Sequence, residues 1–220
     1  MAYQGYFKHD DALAFSRQLE SQGYETTVGP VAAYSTLGWF ADPVLSSVLH
    51  YPDAQLAELV FHELAHELLF VPDDTTFNES FATFVARAGV KQWLTDSGRA
   101  SGLNEFIQDT ERHDATVNII RDTRMRLREL YARSIPDRDK RQQKSVLLDE
   151  LQTKYLAMRK AGAVNDWGQW FEVDLNNAKL ASVGSYHDDV EFFATLFKQT
   201  HRDFAVFYQL AKEYATSPDA

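Results

Sequence analysis

The sequence predicts an α+β protein, mostly helical, with a small N-terminal β-sheet and a C-terminal helical region. Three observations carry that expectation. Short runs rich in aromatic and β-branched residues, broken by glycine and proline, lie within residues 3 to 40. Beyond Pro52, apolar residues recur at helical spacing. At 220 residues the chain can bury one good core, with no internal repeat or low-complexity tract. The expected division is a core over residues 1–100 and a helical hairpin with further helices over 101–220, all in one functional unit.

Tyr3 to Phe7 reads as a short strand. Asp10 or Asp11 can cap a helix that turns Ala12, Phe15 and Leu19 inward, and Gly23 stops it. Tyr24 to Val28 reads as a second strand, ended by Gly29-Pro30, and Val31 to Phe40 as a third. Two helices follow, the first opened by Pro52-Asp53 and closed by Pro72, the second running to about Leu94. From Leu103 to about Gly162 the chain is charged and helical. Phe106, Val117, Ile120, Leu127 and Tyr131 mark one apolar face, and Leu147, Leu151, Tyr155 and Met158 mark another. Ser134-Ile135-Pro136-Asp137 breaks this stretch into a hairpin. Trp167, Trp170 and Phe171 are core aromatics or pocket walls, and Asn176 or Asn177 begins a short helix.

The chemistry concentrates in Leu59 to Leu69, which contains His62-Glu63-x-x-His66. On a helix, His62 and His66 are i,i+4 neighbours, so both imidazoles reach one metal ion. Glu63 lies about 100° round from His62, where a carboxylate can work on a water without ligating the metal. Val60, Leu64 and Leu68 form an apolar stripe away from the histidines. The metzincin continuation, Gly and His at the third and sixth positions after the second histidine, is excluded by Leu69 and Pro72.

A third ligand candidate stands in Thr76-Phe77-Asn78-Glu79-Ser80-Phe81-Ala82. If that helix turns back antiparallel, Glu79 completes a His, His, Glu set with a fourth position open for water, as catalytic zinc requires. The competing reading makes Thr76 and Glu79 a helix capping box. The face shared by Glu79, Ala82, Thr83 and Ala86 is small apart from the carboxylate, which lets another helix approach. Asp73 or Asp74 could accept the second N–H of a metal-bound histidine, or simply favour a helix N-terminus.

The run Ala33-Tyr34-Ser35-Thr36-Leu37-Gly38-Trp39-Phe40, then Asp42-Pro43, Phe61 to His66 and Phe77 to Ala82, resembles the bacterial putative-aminopeptidase family of the gluzincin clan. Tyr3-x-Gly5-Tyr6-Phe7 and Asn176-Asn177-Ala178 match the same pattern, so the resemblance covers nearly the whole chain. It implies a zincin-like fold, a Zn2+ cofactor held by His62, His66 and Glu79, and Glu63 as catalytic base. It also implies a periplasmic or cell-envelope location. Family members usually carry a further N-terminal segment, whereas this chain starts inside the family's pattern. The better-known gluzincin aminopeptidases hold the substrate's free amine with an acid that the stretch Tyr34 to Phe40 lacks.

Zincins typically bind the substrate backbone on an edge strand, which makes Tyr34, Ser35 and Gly38 the substrate-binding candidates. Tyr186 is the candidate oxyanion donor and Tyr131 its alternative. Composition bounds the partners. With 22 basic against 32 acidic residues, the net charge of −10 disfavours nucleic acid, and the peptide substrate is what the family resemblance implies. No apolar run approaches a membrane span, and no basic, apolar leader follows Met1. Zero cysteines exclude a disulfide framework and a thiol nucleophile, and oligomeric state is left open. Two functions remain: a zinc-dependent metallopeptidase, best described as an aminopeptidase, and a zinc-binding envelope binding or assembly protein with little or no peptidase activity.

Overall fold

The computed structural model describes residues 4–29, 48–184 and 189–216, and among them the regular structure is nine α-helices with no strand. The expected N-terminal sheet is therefore corrected: over the described residues the protein is all-α rather than α+β. Neither Tyr3–Phe7, described from Gln4, nor Tyr24–Val28 forms a strand, and Val31–Phe40 lies outside the described residues. The polar groups of the second segment are taken by side chains and helix ends instead of a ladder. Thr26 O accepts from Asn176 Nδ2 at 2.9 Å, and the Glu25 carboxylate accepts from the Asn177 N–H at 2.8 Å and from Lys144. A short extended run needs a paired neighbour to become a strand.

The chain divides into two compact units, each discontinuous in sequence: Met1–Pro30 with Ile107–Gly184, and Val31–Phe106 with Ser185–Ala220. The first contains α1 (His9–Ser21), most of α4 (Ala100–Ala132), α5 (Asp137–Lys160), α6 (Gly168–Glu172) and α7 (Asn177–Gly184). Asp10 and Asp11 sit in the first turn of α1, and Gly23 closes it at φ +89°, a left-handed conformation that glycine adopts without strain. Pro136 caps α5, so α4 and α5 are separated where the sequence places the break. The core of this unit gathers Ile120, Leu127, Leu151, Tyr155, Phe171 and Leu180. Tyr155 stacks on Phe171 with ring centroids 3.7 Å apart, and its hydroxyl accepts from the Trp167 N–H at 2.7 Å. Trp167 and Trp170 pack against the same cluster, which makes them core aromatics.

The second unit is built around α3 (Thr75–Asp96), flanked by α2 (Asp53–Leu68), the start of α4, α8 (Val190–Gln199) and α9 (Phe204–Ala215). One side of α3 carries Phe77, Phe81 and Phe84, which pack with Phe193 of α8 and Phe207 of α9. Their rings meet in both edge-to-face and stacked arrangements, as with Phe81, which is edge-to-face with Phe193 at 5.5 Å and stacked with Phe207 at 6.0 Å, geometries the ring quadrupole favours. A tight connection joins α8 to α9. His201 and Arg202 take positive φ there, and Asp203 caps α9 by accepting from the Ala205 and Val206 N–H groups.

The other side of α3 faces α2, and the two helices are antiparallel: Glu79 meets His66, Arg87 meets Glu58, and Arg99 just past α3 meets Asp53. Gly89 lets them approach, because a Cβ there would stand 3.0 Å from Phe61 Cδ2. No helix among the described residues is long and apolar enough to cross a membrane.

Phe81 is fully buried whereas Phe7 is fully exposed. Phe81→Ala is expected to lower unfolding free energy by about 3–5 kcal/mol in urea titrations, a cavity cost. Phe7→Ala is expected to change it by less than about 0.5 kcal/mol. Equal effects of the two substitutions would contradict this core.

Candidate metal centre

The local sequence explains how the site is presented. Pro52 caps α2 and Asp53 places a negative charge at its positive end. The helix stops at Leu68, Leu69 is extended (φ −150°, ψ 121°), and a short connection follows. Asp73 takes φ 65°, a conformation that aspartate tolerates better than most residues. Asp74 then caps α3, its Oδ1 accepting from the Phe77 N–H at 2.9 Å. That cap resolves the two readings of Glu79. The capping residue is Asp74, so Glu79 lies in the second turn of α3 with its carboxylate free of capping duty.

His62, His66 and Glu79 come together as the spacing predicts. The three side chains offer one ligand atom each within 4.8 Å of one another. His62 Nε2 is 3.2 Å from Glu79 Oε2 and 3.2 Å from His66 Nε2, and His66 Nε2 is 3.7 Å from Glu79 Oε1. Two ligands about 2.0–2.1 Å from a tetrahedral centre stand about 3.3–3.4 Å apart, so these separations fit a metal. His62 Nε2 offers either one hydrogen or one lone pair, so it cannot bond well to both close neighbours at once. A cation between the three atoms can take one lone pair from each of them at once, and two imidazoles with a carboxylate are a donor set suited to zinc.

The side chains are 21%, 11% and 18% exposed for His62, His66 and Glu79, so the cluster is sheltered but open to approach. The His66 pKa is lowered from 6.5, chiefly by burial and then by the neighbouring His62, with Glu79 acting in the opposite direction. A neutral imidazole is the form that ligates metal. Glu63, adjacent to His62 on α2, is half-buried.

Other expectations fare differently. In the supposed apolar stripe, Leu64 is 51% exposed and Leu68 37%, while Ala65 is buried and Phe61 packs on Gly89. The α2 surface facing α3 is thus the histidine side, with Phe61 and Ala65, and not the stripe of Val60, Leu64 and Leu68 away from it. Asp74 is engaged as a cap, and His66 Nδ1 is buried with no hydrogen-bond partner. Of the two roles open to Asp73 and Asp74, Asp74 takes the helix N-terminal one, and neither carboxylate bonds that nitrogen. Tyr131 belongs to the α4–α5 unit, where its hydroxyl donates to Asn177 Oδ1 at 2.9 Å. Tyr34, Ser35, Gly38 and Tyr186 lie outside the described residues.

Two residues escaped the sequence reading. Asn78 Oδ1 accepts from the Val71 N–H and its Nδ2 donates to Val71 O, both at 2.7 Å. Ser80 is fully buried, and its Oγ accepts from the Asp189 N–H at 3.2 Å. The available signal was polar residues on either side of Glu79 in a helix otherwise rich in phenylalanine and alanine.

Comparison with known proteins places the chain in a family. It belongs to the family described as "Putative aminopeptidase", which matches residues 1–220. No curated protein matches it, and no solved structure does.

A depressed histidine pKa has a defined consequence for stability. Between pH 6.5 and the lower native value, unfolded His66 binds a proton that native His66 does not, so stability falls as pH drops through that window. In the metal-free protein, the fall in Tm from pH 7.5 to 5.5 is expected to be smaller for His66→Gln than for wild type. Identical falls would show that His66 carries none of this dependence.

Proposed function

We propose that the protein is a zinc-dependent metallopeptidase of the gluzincin type, acting as an aminopeptidase on peptide substrates. The convergence of His62 Nε2, His66 Nε2 and the Glu79 carboxylate from two antiparallel helices carries this reading. Membership of a family described as putative aminopeptidases supports it.

His62, His66 and Glu79 would hold the ion. When bound, zinc supplies Lewis acidity that lowers the pKa of a ligated water from 15.7 to about 7 and polarises a carbonyl. Glu63 then has the role of general base. Its carboxylate accepts a proton as the water oxygen attacks the peptide carbonyl carbon, and returns it to the amine nitrogen as the C–N bond breaks. The proton count closes within one turnover, with no further reactant. Tyr186 is the proposed donor to the oxyanion, on resemblance alone. Tyr34, Ser35 and Gly38 are the proposed substrate-binding residues, by the way zincins bind a substrate backbone.

The partial exposure of His62 and Glu79 favours catalysis over a purely structural site, which would close its fourth position with another ligand. Glu63 points the same way, since a structural zinc site has no use for a neighbouring base.

Glu63→Gln tests the assignment. Hydrolysis of aminoacyl and peptide substrates is expected to fall by at least about a hundredfold, the scale of general-base catalysis, with zinc content unchanged. Undiminished hydrolysis would exclude Glu63 as the base. Full zinc occupancy with no hydrolysis by wild type, across free-amine and blocked peptides, would favour a zinc-binding assembly protein.

A further inference from the structure

We propose that Asn78 is a positioning residue that sets the metal affinity of the site by clamping the exit of α2 to the start of α3. The inference rests on the metal-site reading above and goes one layer outward from it.

Asn78 is 3% exposed and spends its whole side-chain amide on one residue. Oδ1 accepts from the Val71 N–H and Nδ2 donates to Val71 O, each at 2.7 Å, so the amide reproduces the two-bond pairing of one backbone with another. Val71 follows the end of the histidine helix, and Asn78 immediately precedes Glu79. The clamp therefore ties the two segments that carry the ligands at the point where the chain crosses between them.

Its value is rotational. A side-chain tip stands about 5–6 Å from a helix axis, so turning α3 by about 10° moves it by about 1 Å. Ligand distances tolerate only about 0.2 Å. An apolar side chain could fill the same buried space without needing two partners, and asparagine is a poor helix former. The amide is thus costly for folding unless both bonds are made, and those bonds fix the register of Glu79 against His62 and His66. Ser80, on the other flank of Glu79, provides the contrast. Its hydroxyl accepts from the Asp189 N–H at the start of α8, a helix that carries none of the three ligands.

The test compares zinc dissociation constants, by chelator competition, for wild type, Asn78→Leu and Ser80→Ala, well below each Tm. Asn78→Leu is expected to weaken zinc binding by about tenfold or more, the scale seen when groups supporting metal ligands are removed. Ser80→Ala is expected to stay within about threefold of wild type despite a lowered Tm. Co2+-loaded Asn78→Leu is also expected to show a visible spectrum altered in position and intensity, and Ser80→Ala an unchanged one. If Asn78→Leu folds too poorly to assay, Asn78→Ser carries the same expectation.

Equal weakening by both substitutions, or by neither, would overturn the positioning role while leaving the metal site standing. Failure of wild type itself to bind zinc would overturn the metal site and this inference with it.

Discussion

The close antiparallel pairing of α2 and α3 is the constraint on which the rest of the structure depends. Two histidines one turn apart on α2 cannot form a three-ligand site until a carboxylate from another element reaches them. A glutamate side chain is short, so α3 must lie close. The α3 surface turned towards α2 permits this because it carries Ala82, Ala86 and Gly89, and a side chain at Gly89 would run into Phe61. A bulky residue at these positions would push the helices apart and leave Glu79 out of reach. Small residues here serve distance first and burial second.

The opposite side of α3 supplies what the small face cannot. Phe77, Phe81 and Phe84 bury large aromatic areas against α8 and α9, and that burial holds α3 in place while its other side stays small. Charge pairs along the α2–α3 seam play a lesser part. Asp53 and Arg99 meet at 3.1 Å but are largely exposed, where such a pair contributes less than about 1 kcal/mol. Glu58 and Arg87 are more sheltered and reinforce the antiparallel order. One helix thus has two faces with opposite demands: aromatic bulk for stability and minimal bulk for ligand geometry.

Much of this was legible in the sequence because it depends on local spacing. The i,i+4 histidines, the helix break before Asp137, the Gly23 stop and the small-residue face of α3 are short-range patterns that declare themselves within a few turns. Glu79 was legible through its face, although its competing capping role could be dismissed only once Asp74 was seen to cap α3. The N-terminal sheet was misread for the converse reason. Aromatic and β-branched content marks a segment that could pair, but pairing needs a partner, and Glu25 and Thr26 find the Lys144, Asn176 and Asn177 groups instead. The outward-facing Leu64 and Leu68 show a similar limit: periodicity gives a face but not what covers it. Asn78 reaches back across the α2–α3 connection to Val71 and Ser80 across the chain to Asp189, and neither bond follows helical spacing, so both leave only a faint trace as polar residues in an apolar helix.

The central claim is that three side chains from two helices hold one metal ion, and elemental mass spectrometry of the purified protein tests it most directly. Wild type and Glu79→Ala, supplied with zinc in parallel and then desalted, are the informative pair. About one zinc per wild-type chain, with much less in Glu79→Ala at unchanged helical content, is the result a His, His, Glu centre predicts. No zinc in either protein, or equal zinc in both, would contradict it.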